Sequence, residues 1–281
     1  MASSGSGYDL NPSTFSPDGR IFQVEYASKA VDNAGTALGV QCSDGIVVCV
    51  EKPKPTATSK MLVQHSMTSK RVHPVSQHCG LAFTGLASDA RQLVNRAKEE
   101  AASYKDTYGS EIPPKILADR MSAYVHYFTL HGALRPFGST ALIAGYDVDL
   151  KEHALYMVEP SGVAYQYHGC AAGKGRQSCK TELEKVLLSS AGGLGTQTIT
   201  VTSQEAVKQL ARMIQLLQQD GNGTGNKDVE LEMGWVSAES GWSFVRVDNA
   251  LVDEALVWAK ADIEAAEEEE DDDDNDDEME E

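Results

Sequence analysis

Two pairs of helix-forming segments, each pair flanked by blocks of strand-forming sequence, restrict the fold of this chain more than any other feature. Apolar residues recur at helical spacing through Leu86, Ala90, Leu93, Val94, Ala97 and Ala101, and again through Leu117, Met121, Tyr124, Val125 and Phe128 after Pro113-Pro114. The spacing resumes at Cys179, Leu183, Val186 and Leu187, and at Val207, Leu210, Ile214 and Leu217. Strand-like runs cover 36–41 and 46–50, joined across Ser43-Asp44-Gly45 as a hairpin, then 71–76 and 79–85, then 139–146, 154–158 and 163–167, then 230–236 and 243–247. A last helix carries Val252, Ala255, Leu256, Ala259 and Ile263 on one face. Segregated blocks of this kind point to α+β layers and not to alternating βαβ units. The pattern permits two helices over each outer face of a pair of stacked sheets.

The 281 residues suffice for one large domain or two small ones. No run reaches the ~18 apolar residues of a membrane span. The first residues, MASSGSGYDL, lack the basic region and apolar core of a secretory signal. Five cysteines form no CxxC pair, which fits reduced thiols and a cytoplasmic or nuclear location. The net charge of −18 is concentrated at one end: residues 267–281 hold 13 acidic groups, and the remaining 24 basic and 29 acidic residues leave −5. Nothing in that body forms a basic face for nucleic acid.

The stretch from Tyr8 to Ala30 stands apart. Ser16-Pro17-Asp18-Gly19 fits a type I turn, with Ser first, Pro setting φ second and Gly closing the fourth position. Val24, Ala27 and Val31 then recur at helical spacing, and Gly35 ends the run. Read whole, with Tyr8, Ser13, Phe15, Ser16, Pro17, Gly19, Arg20, Gln23, Val24, Glu25, Tyr26 and Ala27 in their order, the stretch resembles the N-terminal signature of proteasome alpha-type subunits. The resemblance extends over roughly residues 8–263. Gly85-Leu86-x-x-Asp89-Ala90-Arg91, Arg135-Pro136-Phe137-Gly138-Ser139 and Glu159-Pro160-Ser161-Gly162 also match. Tyr8-Asp9-Leu10, Gly173-Lys174-Gly175-Arg176-Gln177-Ser178 and the acidic C-terminus narrow it to one member of the family.

The resemblance implies a four-layer αββα sandwich, the N-terminal-nucleophile hydrolase fold. It divides the chain into a gate tail, turn and helix (1–35), a core domain (36–263) and a disordered acidic tail (264–281). It implies a non-catalytic subunit of the 20S alpha ring, serving ring assembly, substrate gating and activator docking in ubiquitin-dependent protein degradation. The implied partners are other alpha subunits in a seven-membered ring, beta subunits below, and a regulatory particle or activator C-terminal tails above, with no cofactor, metal, nucleic acid or membrane. Tyr8, Asp9, Pro17 and Tyr26 match positions that cluster between neighbouring subunits when the gate opens. Leu10 departs from the Arg often found there. Lys70 matches the lysine that pairs with an activator's terminal carboxylate, with Arg71 as the other register.

Two rival functions stand beside this one. A self-processed peptidase would use Thr36 at a newly exposed N-terminus, its amine serving as base. Aligning Gly45 with the hairpin glycine of beta subunits puts Gly35 at the nucleophile position, and glycine offers no nucleophile. An acidic module binding basic proteins is the third class; the acidic run reads equally as a solvated extension. No Ser or Thr follows Ser243 to be phosphorylated. Gly169 to Gly175 misses the phosphate-loop spacing and reads as a helix-entry turn. His126 and His131 are five apart, which does not suit one helix face, and His73 and His78 lack ligands at metal spacing.

Overall fold

The structure, a computed structural model, describes residues 7–52, 70–190, 199–220 and 230–277. The first six residues, the polar stretch between Lys52 and Lys70, residues 191–198, the Gly/Asn-rich segment after Asp220 and the last four residues lie outside these.

Helix α1 (Phe22–Asp32) leads into a hairpin of β1 (Ala37–Cys42) and β2 (Gly45–Lys52). The register Cys42↔Gly45 leaves Ser43-Asp44 as a two-residue turn. Next come β3 (Val72–Pro74), β4 (Cys79–Gly85), α2 (Ala87–Tyr108) and α3 (Pro114–Leu130). Proline suits the first turn of α3 because its missing N–H is unpaired there anyway. Gly109 ends α2 in the left-handed conformation at φ +76°. Then follow β5 (Ser139–Asp147), β6 (Glu152–Val158), β7 (Ala164–Tyr167), β8 (Gly169–Ala172), α4 (Arg176–Ser190), α5 (Ser203–Asp220), β9 (Glu230–Ser237), β10 (Val245–Arg246) and α6 (Asn249–Asp277).

The strands form two antiparallel five-stranded sheets, ordered β10-β9-β2-β1-β8 and β3-β4-β5-β6-β7. Side-chain alternation explains the layering. In β2, Val47 and Cys49 pack with Leu183, Leu210, Ile214 and Ala255 of α4, α5 and α6, while Ile46, Val48 and Val50 turn to the other sheet. In β5, Ala141 and Ile143 meet Leu93, Leu117 and Met121 of α2 and α3, while Leu142 and Ala144 face inward. Three apolar layers therefore separate four layers of structure, as an αββα sandwich requires. A fully buried side chain such as Phe83 or Leu142 stabilises this arrangement by about 2 kcal/mol.

One element differs from the sequence reading. Only Gly173–Gly175 makes the turn into α4; Gly169–Ala172 is β8, paired to β1 from Val40↔Gly169 to Ala37↔Ala172. Its small side chains are covered on both faces, Cys170 between the sheets and Ala171 beneath the helices, so no polar alternation announces a strand. The apolar stripe of the last helix ends at Ile263, and α6 runs on to Asp277. Ile263 is its last buried side chain among those described. Propagation from an anchored helix needs no new nucleus, which lets the backbone carry on past the core.

Candidate functional site

The N-terminal signature folds into a braced turn. Gly19 N–H donates to the Ser16 carbonyl at 2.9 Å, Ser16 N–H donates to the Arg20 carbonyl at 2.9 Å, and Arg20 N–H donates to Ser16 Oγ at 3.1 Å. Gly19 sits at φ +74°, which a side chain would strain. The Arg20 guanidinium then forks onto Glu25 at 2.7 and 2.5 Å and lies 5.0 Å from the Phe22 ring. Arg20 holds the Glu25 carboxyl below the usual carboxylate range.

The tail is less free than its composition predicts. The Gln23 amide donates to the Asp9 carbonyl, Pro12 is buried, and Asn11 lies so close to Gly132 that a Cβ there would come within 2.6 Å of it. Tyr8, Pro17 and Tyr26 are exposed and Asp9 is half-buried. Tyr26 stacks on Phe22 at 6.3 Å and has Lys29 5.7 Å from its ring. Among the described residues, no hydrogen bond, ion pair or ring contact joins the four predicted positions to one another. Two of them meet at α1, which carries Tyr26 and holds Asp9 through Gln23.

Helix α1 closes one end of the sandwich. Ala27 and Val31 are its buried residues, and Val31 belongs to the apolar layer between the sheets. Beneath it the chain from Ala34 to Thr36 is tied on every side. Lys174 N–H donates to the Ala34 carbonyl at 3.0 Å, and the Thr84 hydroxyl donates to the Gly35 carbonyl. Thr36 N–H donates to Glu51 Oε2 at 3.0 Å, and Thr36 Oγ1 accepts from Gly175 N–H at 3.3 Å. Gln218 holds the other Glu51 oxygen at 2.5 Å. A Cβ on Gly35 would stand 2.8 Å from the Glu51 carbonyl oxygen. Thr36 is 1% exposed, its nitrogen is an amide, and its hydroxyl is committed to the backbone. In the uncut chain Thr36 is therefore a buried residue held at the start of β1. A 70 Å³ cavity remains beside Val31 and Thr140, with Asp32 and Arg176 paired across its mouth at 3.0 Å.

The family-like motifs noted separately in the sequence come together at this end. Asp89 takes Arg135 at 2.6 and 2.7 Å and the Gly138 N–H at 2.9 Å. Leu86 N–H donates to the Gly138 carbonyl at 2.8 Å, and Gly85 adopts φ +108° with no room for a Cβ. The turn at Glu159-Pro160-Ser161-Gly162 is gripped by α3, where Ser122 Oγ donates to the Gly162 carbonyl at 2.5 Å.

Lys70 is half-buried at the rim of a 630 Å³ cavity lined also by Lys52, Glu232, Arg246 and Asp253. The two candidate registers are not equivalent. Arg71 turns inward, its guanidinium 5.1 Å from the Phe83 ring and 3.3 Å from the Gly85 carbonyl, and burial lowers its pKa. The Lys70 ammonium has no ion-pair partner among the described residues. Its carbonyl is held by His73 Nε2 at 3.1 Å, and burial pushes the His73 pKa down. The anchor of this segment escaped the sequence reading. Glu232 accepts the Arg71 N–H at 2.7 Å and pairs with Arg246 at 3.1 Å, while Arg246 donates to the Val72 carbonyl at 2.7 Å. An acidic residue on the inter-sheet face of a strand was the only signal available.

Among the described residues, no three His, Cys, Asp or Glu side chains are grouped to hold a metal, and no helix is long and apolar enough to cross a membrane. All five cysteines are free and buried, and burial pushes the Cys79 and Cys179 thiols up to about 12.

Comparison with known proteins agrees with this geometry. Residues 31–232 match the proteasome subunit family, and residues 8–30 match the N-terminal signature of the A-type proteasome subunits. The chain is 48% identical to the alpha type-3 proteasome subunit of Oryza sativa subsp. japonica over 94% of this chain and 98% of the relative. It is 46% identical to the alpha type-3 subunits of Arabidopsis thaliana and Acanthamoeba castellanii, over 94% of this chain and 98% and 96% of theirs. With both matches covering residues 8–232 and the signature turn braced ahead of Gly35, the chain belongs to the proteasome subunit family, in its alpha-type branch.

Proposed function

We propose that this chain works as a non-catalytic subunit of the 20S alpha ring, where its N-terminal end governs entry while threonine-dependent cleavage is done by other subunits. The observation that carries this reading is the A-type signature of residues 8–30, packed as a braced turn and helix against the core and followed by Gly35, which has no side chain to act as nucleophile. In a seven-membered ring, residues 1–12 and the turn around Pro17 form one portion of an axial gate. Small polar residues there cost little to move between ordered and open states. Tyr8, Asp9, Pro17 and Tyr26 supply contacts to a neighbouring alpha subunit, and three of them already lie on the surface. Lys70 receives the terminal carboxylate of an activator's tail, a role suited to a mobile point charge. Beta subunits lie on the other side of the ring, and the particle works in the cytoplasm and nucleus.

The self-processed peptidase is disfavoured by the same observation, because freeing Thr36 removes the helix that caps the inter-sheet core. The mass and symmetry of the native particle test the reading directly. A ring-containing particle holding the chain at full mass is expected; a stable monomer, or a chain shortened by 35 residues, would sink it. Within that particle, deleting residues 1–12 raises basal peptide hydrolysis several-fold if the tail is part of the gate, and leaves it unchanged if it is not.

A further inference from the structure

The 70 Å³ cavity beside α1 is walled by three separate elements: Val31 and Asp32 of that helix, Met157 of β6 with Glu159 just after it, and Arg176 and Lys180 of α4. Thr140 of β5 lines it too. Thr140 is only 3% exposed, and its hydroxyl has no hydrogen-bond partner among the described residues. The Ser28 hydroxyl, also at the wall, is spent on the Val24 carbonyl at 3.1 Å. A buried hydroxyl left without a partner is destabilising, so one that borders an open space points to an occupant that completes it.

The charges around the cavity are incomplete in the same way. Arg176 is taken by Asp32 at 3.0 Å. Lys180 and Glu159 line the same space, and neither has an ion-pair partner among the described residues, nor are they paired with each other. Both are exposed, so their charged ends stand where a solute enters. A simple anion there meets the Glu159 carboxylate, and a simple cation meets Lys180 and Arg176. A ligand that carries both charges satisfies both. The volume takes about five water molecules, which limits the occupant to a small one, and Val31 and Met157 leave no depth for a long side chain.

We propose that this cavity binds a small zwitterionic amino acid of the size of serine, its carboxylate on Lys180, its ammonium on Glu159 and its side-chain hydroxyl on Thr140. A hydroxyl both donates and accepts, so it pairs with Thr140 in either sense. The occupant touches α1, the end of β6 and α4 at once, and thereby ties the helix to both sheets. The walls all come from this one chain, so the site is independent of the ring reading above.

The test is hydrogen exchange on the native assembly that contains the full chain, titrated with L-serine, L-alanine, acetate or ethylammonium. L-serine is expected to slow exchange over residues 28–32 and 159–162 with one saturating curve, while acetate and ethylammonium alone do not. Thr140→Val keeps the shape and removes the hydroxyl; it should weaken L-serine about ten-fold and leave L-alanine unchanged. The double variant Lys180→Met with Glu159→Gln alters exposed positions, folds as wild type and should lose the protection given by either amino acid. Absence of saturable protection by L-serine would overturn the proposal and leave a water-filled cavity. Acetate protecting as well as L-serine, or protection that survives the double variant, would overturn it equally.

Discussion

Asp89 and Arg135, 46 residues apart, join through two hydrogen bonds of 2.6 and 2.7 Å, and the same carboxylate receives the buried Gly138 N–H. The start of α2 and the entry to β5 thereby become one joint. Arg135 is 63% exposed, so solvent screens the ion pair to about 0.5–1 kcal/mol. Leaving the Gly138 N–H unpaired costs more. Asp89→Ala should therefore lose about 2 kcal/mol in denaturant melts and Arg135→Ala about half as much.

The same pair sets a pH dependence. Arg135 first, and the Gly138 N–H after burial's opposing effect, hold the Asp89 carboxyl below the usual carboxylate range. A depressed folded pKa gives stability that is present above the unfolded value near 4 and lost as pH falls through the folded one. Stability measured from pH 6 down to pH 2 should fall through that window. Asp89→Asn should show a shallower acid limb; an unchanged limb would mean that other carboxylates govern it.

Restoring a nucleophile does not restore an enzyme. Gly35→Thr places a Cβ 2.8 Å from a backbone oxygen, a clash costing about 1–3 kcal/mol. The variant is expected to melt earlier, to stay at full mass and to show no peptidase activity of its own. Autocleavage before residue 35, seen by intact mass, would contradict this.

The two candidate activator cations separate cleanly. Lys70→Ala should leave unfolding within about 0.5 kcal/mol of wild type while weakening the response of the particle to an activator-tail peptide. Arg71→Ala removes a guanidinium from the Phe83 ring and the Gly85 carbonyl, and should cost about 1–2 kcal/mol. A stability loss at Lys70 and none at Arg71 would reverse the assignment.

Truncation after Ala266 removes no buried side chain from the described part of α6, whose last is Ile263. Unfolding free energy should stay within about 0.5 kcal/mol of the full chain, and ring entry should be unchanged. Ellipticity of the full chain should rise as pH falls towards 4, because protonation relieves like-charge repulsion along the acidic helix.

Much of the architecture was legible because both sheets bury both faces. Runs such as Cys79–Gly85 and Ser139–Gly145 are apolar nearly throughout, and the helices show one clean stripe each. The turn at Ser16–Gly19 was legible from residue chemistry alone. What stayed hidden depends on distance along the chain. β8 is made of residues too small to show a pattern. The Asp89–Arg135 joint and the Glu232–Arg246 anchor pair positions that only the folded sheets bring together. The docking of Asn11 against Gly132 follows from the path of the tail, which no local rule encodes.

If this end forms the proposed gate, Val31 fixes where its motion takes place. Lifting α1 would empty a valine-sized hole in the layer shared by both sheets, so the helix is an abutment and not a lever. Displacement must then be taken up before Ala27, at the braced turn and in the few residues held by Gln23 and Gly132. On the proposed gating role, a partner would need only to break those small contacts, with the rest of the molecule stationary while it does so.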